Sequence, residues 1–300
     1  MNPLVSVIIP SYGGGQFLKR AIDSVLSQTY DNIEIIVVDD NGVGTFNQIE
    51  TAKVMNEYTN DHKVKYVCHK VNINGSAARN TGVKESSGEY IALLDDDDEY
   101  LPEKIERQVH DILGLDSTYA IVFCDIARFR NGNKVSETHR TQSGYLFFEL
   151  MMHKLVIGSS SLLIRKNIWN EMNGFDESFR RHQDWEFTAR VAYKYKVKAE
   201  GFVGVKYNME FRNSPKNPDI TLAYRKHYLD KMKPFYSMLK VEQCKQIELS
   251  NLMDVVIAYT KKRQFKKAIN LYRSLRPGLY GIKYVSNRLL LTIKKIFHVY

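Results

Sequence analysis

Short apolar runs recur along the first third of the chain, and each stops at a cluster of small or polar residues. Val5-Ser-Val-Ile-Ile9 ends at Pro10, Ile33-Glu-Ile-Ile-Val-Val38 ends at Asp39-Asp40-Asn41-Gly42, and Tyr90-Ile-Ala-Leu-Leu94 runs into Asp95-Asp96-Asp97-Asp98. Runs of this composition with such stops predict buried strands, and Val64 to Cys68 reads as another. Between them the spacing becomes helical. Gln16 to Gln28 puts Phe17, Ala21, Ile22, Val25 and Leu26 on one side, and Phe46 to Tyr58, Gly75 to Lys84 and Pro102 to Leu113 follow the same period. Strand, helix, strand order with apolar rather than alternating strands means parallel pairing, covered on both faces. The expected fold class is α/β, a Rossmann-like, mostly parallel sheet flanked by helices.

Farther along, Tyr119 to Phe129 predicts a strand and Gly132-Asn133 a hairpin tip. Ser143 to His153 and Arg165 to Met172 predict helices with a strand, Ser159 to Ile164, between them; Gln183 to Lys194 predicts a further helix. From Ala223 the pattern is helical throughout, and Asn251 to Ser274 reads as one helical hairpin around a basic turn. Residues 1–221 are therefore expected to form the α/β domain and 222–300 a basic helical C-terminal region.

A 44% hydrophobic, 12% aromatic composition over 300 residues excludes a disordered chain. The net charge of +9 suggests nucleic acid until it is located. Residues 261–300 hold eleven Lys and Arg and no Asp or Glu, which leaves 32 basic against 34 acidic residues in the first 260. The excess belongs to the tail, where no recognition motif accompanies it. Tyr284 to Tyr300 sets Val285, Leu289, Leu290, Ile293, Ile296 and Phe297 at helical spacing among Arg288, Lys294 and Lys295. Such a helix suits anionic lipid, and equally packing on the α/β domain or on a second subunit of a homo-oligomer. Cys68, Cys124 and Cys244 are widely spaced and read as buried free thiols. With no signal peptide and no run of eighteen apolar residues, the expected location is cytoplasmic, with peripheral contact at the inner face of the cell membrane.

The chemistry concentrates at strand ends. Four consecutive carboxylates repel one another, so a fold that gathers them must supply a cation or hydrogen-bond donors. Hard oxygen ligands suit Mg²⁺ or Mn²⁺, and Mg²⁺ usually shares a few carboxylates with substrate phosphates. The alternative is a solvated acidic turn, against which stands the apolar strand that delivers the run to a strand's carboxyl end, where open α/β sheets bind ligands. Gly13-Gly14-Gly15 after the first strand allows close backbone approach to a nucleotide or forms a plain tight turn; it lacks P-loop and Gly-x-Gly-x-x-Gly spacing. Asp39-Asp40 can accept from a ribose hydroxyl or a base imide, or close an ordinary turn. Arg79, among small residues at a helix start, can reach a ligand anion or form a surface ion pair. The eight histidines lack zinc-site spacing.

Taken together, Val5-Ser-Val-Ile-Ile-Pro-Ser-Tyr, Val38-Asp-Asp, Ala77-Ala-Arg-Asn-Thr-Gly, Tyr90-Ile-Ala-Leu-Leu-Asp-Asp-Asp-Asp, Gly174-Phe-Asp and Gln183-Asp-Trp-Glu stand in an order that resembles family 2 inverting glycosyltransferases of the GT-A fold, over about residues 3 to 215. The resemblance implies a hexosyl- or N-acetylhexosaminyltransferase that uses a nucleotide-sugar, most simply a UDP-sugar, and Mn²⁺ or Mg²⁺. The acceptor it implies is a glycan or polyprenyl-linked hydroxyl in bacterial-type surface polysaccharide synthesis. By position, Pro10 and Tyr12 border the nucleoside, Asp40 accepts from the base imide, and Arg79 lies near base and phosphates. Asp95 to Asp97 form the Asp-x-Asp element, with Asp96 toward ribose or sugar, Asp97 the metal ligand and Asp98 in support. Asp184 matches the catalytic base. Gly158 and Ser159 match the stretch that contacts sugar and acceptor, Trp185 offers an acceptor floor or core packing, and His182 and Arg212 approach the diphosphate.

The chain departs from the family at Gly13 to Gly15, where Asn is common, at Asn41-Gly42, where Gly-Ser is commoner, and at Gln183, where Glu is more frequent. The last removes an acidic neighbour and is expected to lower the pKa of Asp184. Two other readings remain at this stage: a nucleotidyltransferase acting on a sugar phosphate, and a non-catalytic glycosyltransferase-like scaffold that binds a glycan or a partner.

Overall fold

The computed structural model describes residues 2–13, 15–209, 217–278, 281 and 284. The chain divides into two compact units, Met1–Phe147 with Val156–Arg212, and Phe148–Leu155 with Asn213–Tyr300.

The first unit is built on one sheet. Its strands are β1 (Val5–Ser11), β2 (Ile33–Asp39), β3 (Val64–Cys68), β4 (Tyr90–Leu93), β5 (Glu99–Tyr100), β6 (Tyr119–Arg130), β7 (Asn133–Glu137), β8 (Ser143–Gly144), β9 (Leu162–Arg165) and β10 (Lys196–Asn208). They lie in the order β3-β2-β1-β4-β9-β6-β10-β5, with β7 beside β6 and β8 beside β10. The first four are mutually parallel, β10 runs parallel to β6, and β9 is antiparallel to both β4 and β6. Its helices are α1 (Leu18–Leu26), α2 (Phe46–Met55), α3 (Gly75–Lys84) and α4 (Lys104–Leu113), then, after α5 (Phe147–Met151), which belongs to the second unit from Phe148 on, α6 (Lys166–Glu171) and α7 (Gln183–Lys194).

Val5, Val7, Ile9, Ile35, Val37 and Ala92 pack with Leu18, Ile22 and Val25 of α1 and Ile105, Val109 and Ile112 of α4 in one continuous core. On the other face α3 lies so close to β1 that a Cβ on Gly82 would stand 2.2 Å from Ile8 Cγ2. Both faces are thus covered, as continuously apolar strands require.

Several boundaries differ from the pattern. Ser143 to His153 is not one helix: Ser143–Gly144 pairs with β10, and only Phe147–Met151 is helical. The strand expected from Ser159 begins at Leu162, because Ser159–Ser161 makes one 3-10 turn. The hairpin tip is Asn131-Gly132, one residue earlier, where both φ angles are positive. β10, the longest strand, has no counterpart in the pattern. A register shift between Ala199 and Val203, with Gly201 at φ 69°, breaks its alternation. Of the cysteines, which are all free, only Cys124 is fully buried.

The second unit contains α8 (Pro218–Met232), α9 (Val241–Lys261) and α10 (Phe265–Leu275), the last two forming the expected hairpin around Lys262-Arg263-Gln264. Its interior holds Tyr228, Met232, Ile247, Met253 and Val255. No helix among the described residues is long and apolar enough to cross a membrane. The helix expected over Tyr284 to Tyr300 lies outside the described residues, apart from Tyr284.

Candidate active site

The acidic run is a turn between two strands. β4 is buried throughout, and the chain leaves it at Leu94, closes a turn through Asp98 N–H to Asp95 O (3.0 Å), and continues as β5 against β10. Each acidic side chain then takes a different environment. Asp95 Oδ1 accepts from Arg79 Nη2 (2.5 Å) and Ser159 Oγ (3.1 Å). Asp96 accepts from the Tyr12 N–H (3.2 Å). The main-chain carbonyl of Asp97 accepts from Arg20 Nη2 (2.8 Å) and Asn208 Nδ2 (2.9 Å). Asp98, 1% exposed, accepts from Ser160 Oγ (2.7 Å) and the Asn208 N–H (3.3 Å). Glu99, next in the chain, meets Arg20, Lys206 and Asn208.

Asp95, Asp97 and Asp98 bring carboxylate oxygens within 4.8 Å of one another. Burial first, then the charges of Asp95 and Asp97, push the Asp98 carboxyl well above the usual range. An all-oxygen set so crowded fits a hard divalent cation, which would offset the repulsion. Asp96 stands apart from this group, turned to the backbone of the first loop.

A second wall comes from α3 and α7. The Asn74 side chain caps α3 by accepting from the N–H groups of Ser76 and Ala77. One turn on, Arg79 is buried; its Nη1 donates to Gly75 O (3.0 Å), and its buried Nε has no hydrogen-bond partner among the described residues. A Cβ on Gly75 would touch Arg79 Nη1 at 2.9 Å and Gln183 Nε2 at 3.6 Å, so the start of α7 meets the start of α3 there. Asn80 fastens the intervening loop: its Nδ2 donates to Phe175 O, its Oδ1 accepts from the Phe175 N–H, both at 2.9 Å, and Phe175 packs on Trp169 and Phe187.

Asp184, half-buried in the first turn of α7, accepts from the Trp185 N–H (3.0 Å). Burial, and next the charge of Asp95, raise its carboxyl to about 6, while Arg79 and local N–H groups pull it down. The lost acidic neighbour at 183 is outweighed by burial, with the charge of Asp95 from the acidic turn adding to it. His182 precedes the helix in the left-handed region (φ 65°), and its ring stacks on Trp185 with centroids 3.9 Å apart.

The third group lies where β1 and β2 end. Pro10 is partly exposed and Tyr12 is 57% exposed. Asp39 points inward to Tyr66 (2.6 Å) and Asn41, whose Oδ1 accepts from the Gly13 N–H (2.7 Å) and so braces the glycine loop. Asp40, 2% exposed, accepts from His69 Nδ1 (2.7 Å), the Ile73 N–H (2.9 Å) and Asn72 Nδ2 (2.8 Å). Three of its roughly four acceptor directions are taken. Gly158 begins the 3-10 turn whose Ser159 and Ser160 face the aspartates. Arg212 lies outside the described residues.

Residues 6–172 match the model of glycosyl transferase family 2. The chain belongs to that family. Among relatives of this family 2 glycosyltransferase, an uncharacterized glycosyltransferase of Rickettsia prowazekii is 35% identical over 191 residues, covering 62% of this chain and 57% of that one. The chain thus spans little more than half of that relative's length. AmsB of Erwinia amylovora, an amylovoran biosynthesis glycosyltransferase, is 25% identical over 257 residues, covering 81% of this chain and 82% of its own. The crystal structure of S. aureus TarS 1–349 shares the fold, with a TM-score of 0.60 at 16% identity over 92% of this chain and 91% of that one. The expected GT-A architecture is therefore the one this chain adopts. Sequence reasoning did not single out Arg20, His69, Asn72 or Asn208, each of which meets an acidic residue of the site from another helix, loop or strand.

Proposed function

We propose that this chain is a metal-dependent, inverting transferase that moves a hexosyl or N-acetylhexosaminyl group from a UDP-sugar to a hydroxyl of a glycan or polyprenyl-linked acceptor in surface polysaccharide assembly. The observation that carries this reading is Asp184, raised to about 6 and within charge reach of both Asp95 and Arg79. A carboxylate of that pKa is ionised at neutral pH yet basic enough to take the acceptor proton. One such base, opposite the leaving group, yields inversion.

Mn²⁺ or Mg²⁺ held by Asp97 with Asp95 and Asp98 would stabilise charge developing on the departing diphosphate. Arg79, fixed by Gly75 and Asp95, adds a cation beside the departing diphosphate. Tyr12 and Pro10 border the nucleoside, Asp40 offers its remaining acceptor direction to the base imide, and Asp96 orients ribose or sugar through its hold on the Tyr12 backbone. Gly158, Ser159 and the stacked His182 and Trp185 face the acceptor sugar, whose C–H surfaces suit an aromatic platform. Arg212 is assigned to the diphosphate with His182. The complexes of TarS with UDP and with UDP-GlcNAc support a uridine donor.

Residues 1–221 act as the catalytic domain in this reading, and 222–300 as a basic region that contacts anionic membrane at its inner face. Co-sedimentation with phosphatidylglycerol vesicles checks the second part; equal binding by a chain lacking residues 261–300 refutes it.

Release of UDP from a panel of UDP-sugars with Mn²⁺ tests the function. The expected outcome is release that EDTA abolishes. Pyrophosphate release from UTP and a sugar 1-phosphate, with no UDP from any UDP-sugar, would establish nucleotidyl transfer instead.

A further inference from the structure

The first turn of α4 buries a lysine under the active site. Lys104 is 1% exposed; its ammonium donates to Leu162 O (3.2 Å) and sits over the Tyr100 ring, 3.9 Å from the centroid. Among the described residues it forms no ion pair. Desolvation accordingly lowers it to about 8. The carboxylate of Glu200, held by Gln108 Nε2 (2.8 Å), lies near enough to favour the charge but forms no ion pair with it. A buried ammonium so incompletely matched costs stability that an apolar side chain of equal length would not. Its presence calls for an account other than packing.

The account lies in what its neighbourhood holds. One turn along α4, Gln108 is fully buried and donates to Ser161 O (3.0 Å), which also accepts from Cys124 Sγ (3.6 Å). Three donors thus grip the carbonyls of Ser161 and Leu162 from beneath. The 3-10 turn is closed by Ser161, whose N–H and Oγ both donate to Gly158 O (3.0 and 2.8 Å). With its carbonyls held below, the turn presents Ser159 and Ser160 to Asp95 and Asp98, and Ser160 Oγ also accepts from the Asp95 N–H (3.2 Å). Tyr100, which carries the ammonium on its ring, donates to Leu93 O (2.6 Å) just before the acidic turn.

We infer that Lys104, with Gln108 beside it, is a positioning residue for the carboxylate site: it holds the Ser159–Ser161 turn that sets Asp95 and Asp98 in register for a divalent cation. The inference rests on the metal-dependent reading of that site. Its test needs no turnover. Mn²⁺ is titrated into the metal-free full chain and followed by water-proton relaxation, and melting is measured without metal. Lys104→Met is expected to melt no lower than wild type yet bind Mn²⁺ about tenfold more weakly, the effect usual for groups that orient metal ligands. Lys104→Arg recovers part of the affinity. Gln108→Met, which leaves the lysine in place, weakens Mn²⁺ binding several-fold and keeps the test open if Lys104→Met does not fold. Unchanged Mn²⁺ affinity in the folded variants, with or without a lower melting temperature, overturns the inference. Failure of wild type itself to bind Mn²⁺ overturns it together with the metal reading, so the two failures are distinct.

Discussion

Replacing Asp184 with Asn should stop sugar transfer and at the same time stabilise the protein. The carboxyl moves from 3.8 to about 6 on folding, chiefly through burial. Two pKa units disfavour the ionised form by about 3 kcal/mol, and partial exposure discounts this to about 2 kcal/mol. The sign follows from proton binding. Unfolded aspartate titrates near about 3.9, so between there and pH 6 the folded chain holds the extra proton, and stability falls as pH rises through about 6. Asn carries no charge at any pH and escapes that penalty. At pH 7.5 the variant should melt about 4 to 8 °C above wild type, taking about 2 to 4 °C per kcal/mol for a unit of this size, and the gap should shrink to less than half at pH 4.5. Turnover runs the other way. At pH 5 only about a tenth of a group titrating at about 6 is ionised, and a cation beside Asp95 offsets part of that rise, so wild-type UDP release should drop by up to about tenfold from its plateau, whereas a group at 3.8 would keep nearly all its activity. Differential scanning calorimetry of the metal-free proteins at both pH values reads the first effect, and a pH profile of UDP release the second. Equal melting temperatures at pH 7.5, or a gap undiminished at pH 4.5, would refute the argument from burial.

The C-terminal unit should be acid-sensitive. Burial first, then the charge of Arg225, hold His153 neutral at a pKa of about 3, so its contribution is complete above about pH 6.5 and is lost at about 1.4 kcal/mol per unit as pH falls toward 3. Urea unfolding of wild type and His153→Gln checks this; an equally steep slope in the variant counts against it. Gly82→Ala forces a Cβ to within 2.2 Å of Ile8 Cγ2 and should cost about 1 to 3 kcal/mol by overpacking α3 on β1, seen as a lower urea midpoint. An unchanged midpoint would mean that α3 can move away from the strand freely.

Much of the framework is local and therefore legible. β3, α3 and α7 occupy the residues their periodicity predicts, and the acidic run does sit at the end of a buried strand. What escaped is either interrupted or assembled across the chain. β10 hides its alternation behind the bulge at Gly201, and with it goes Asn208, which locks Asp97 and Asp98. The enclosure of Asp40 comes from His69, Asn72 and Ile73, a loop and strand end some thirty residues away. Spacing carries no sign of such convergence. The rise in the Asp184 pKa is likewise tertiary, since its cause is burial beside Asp95 rather than the residue at 183. Lys104 would pass in sequence for a solvated helix lysine; only its depth in the sheet sets it apart.

The central claim is that the acidic turn holds the donor while Asp184 performs the proton transfer, and separating binding from turnover tests it most directly. Calorimetric titration of UDP-GlcNAc with Mn²⁺ into wild type and Asp184→Asn, paired with UDP release by both, makes that separation. The account predicts donor affinity within about threefold of wild type and a loss of release of about a hundredfold or more. Release at the wild-type rate by Asp184→Asn, with the donor bound, would contradict it.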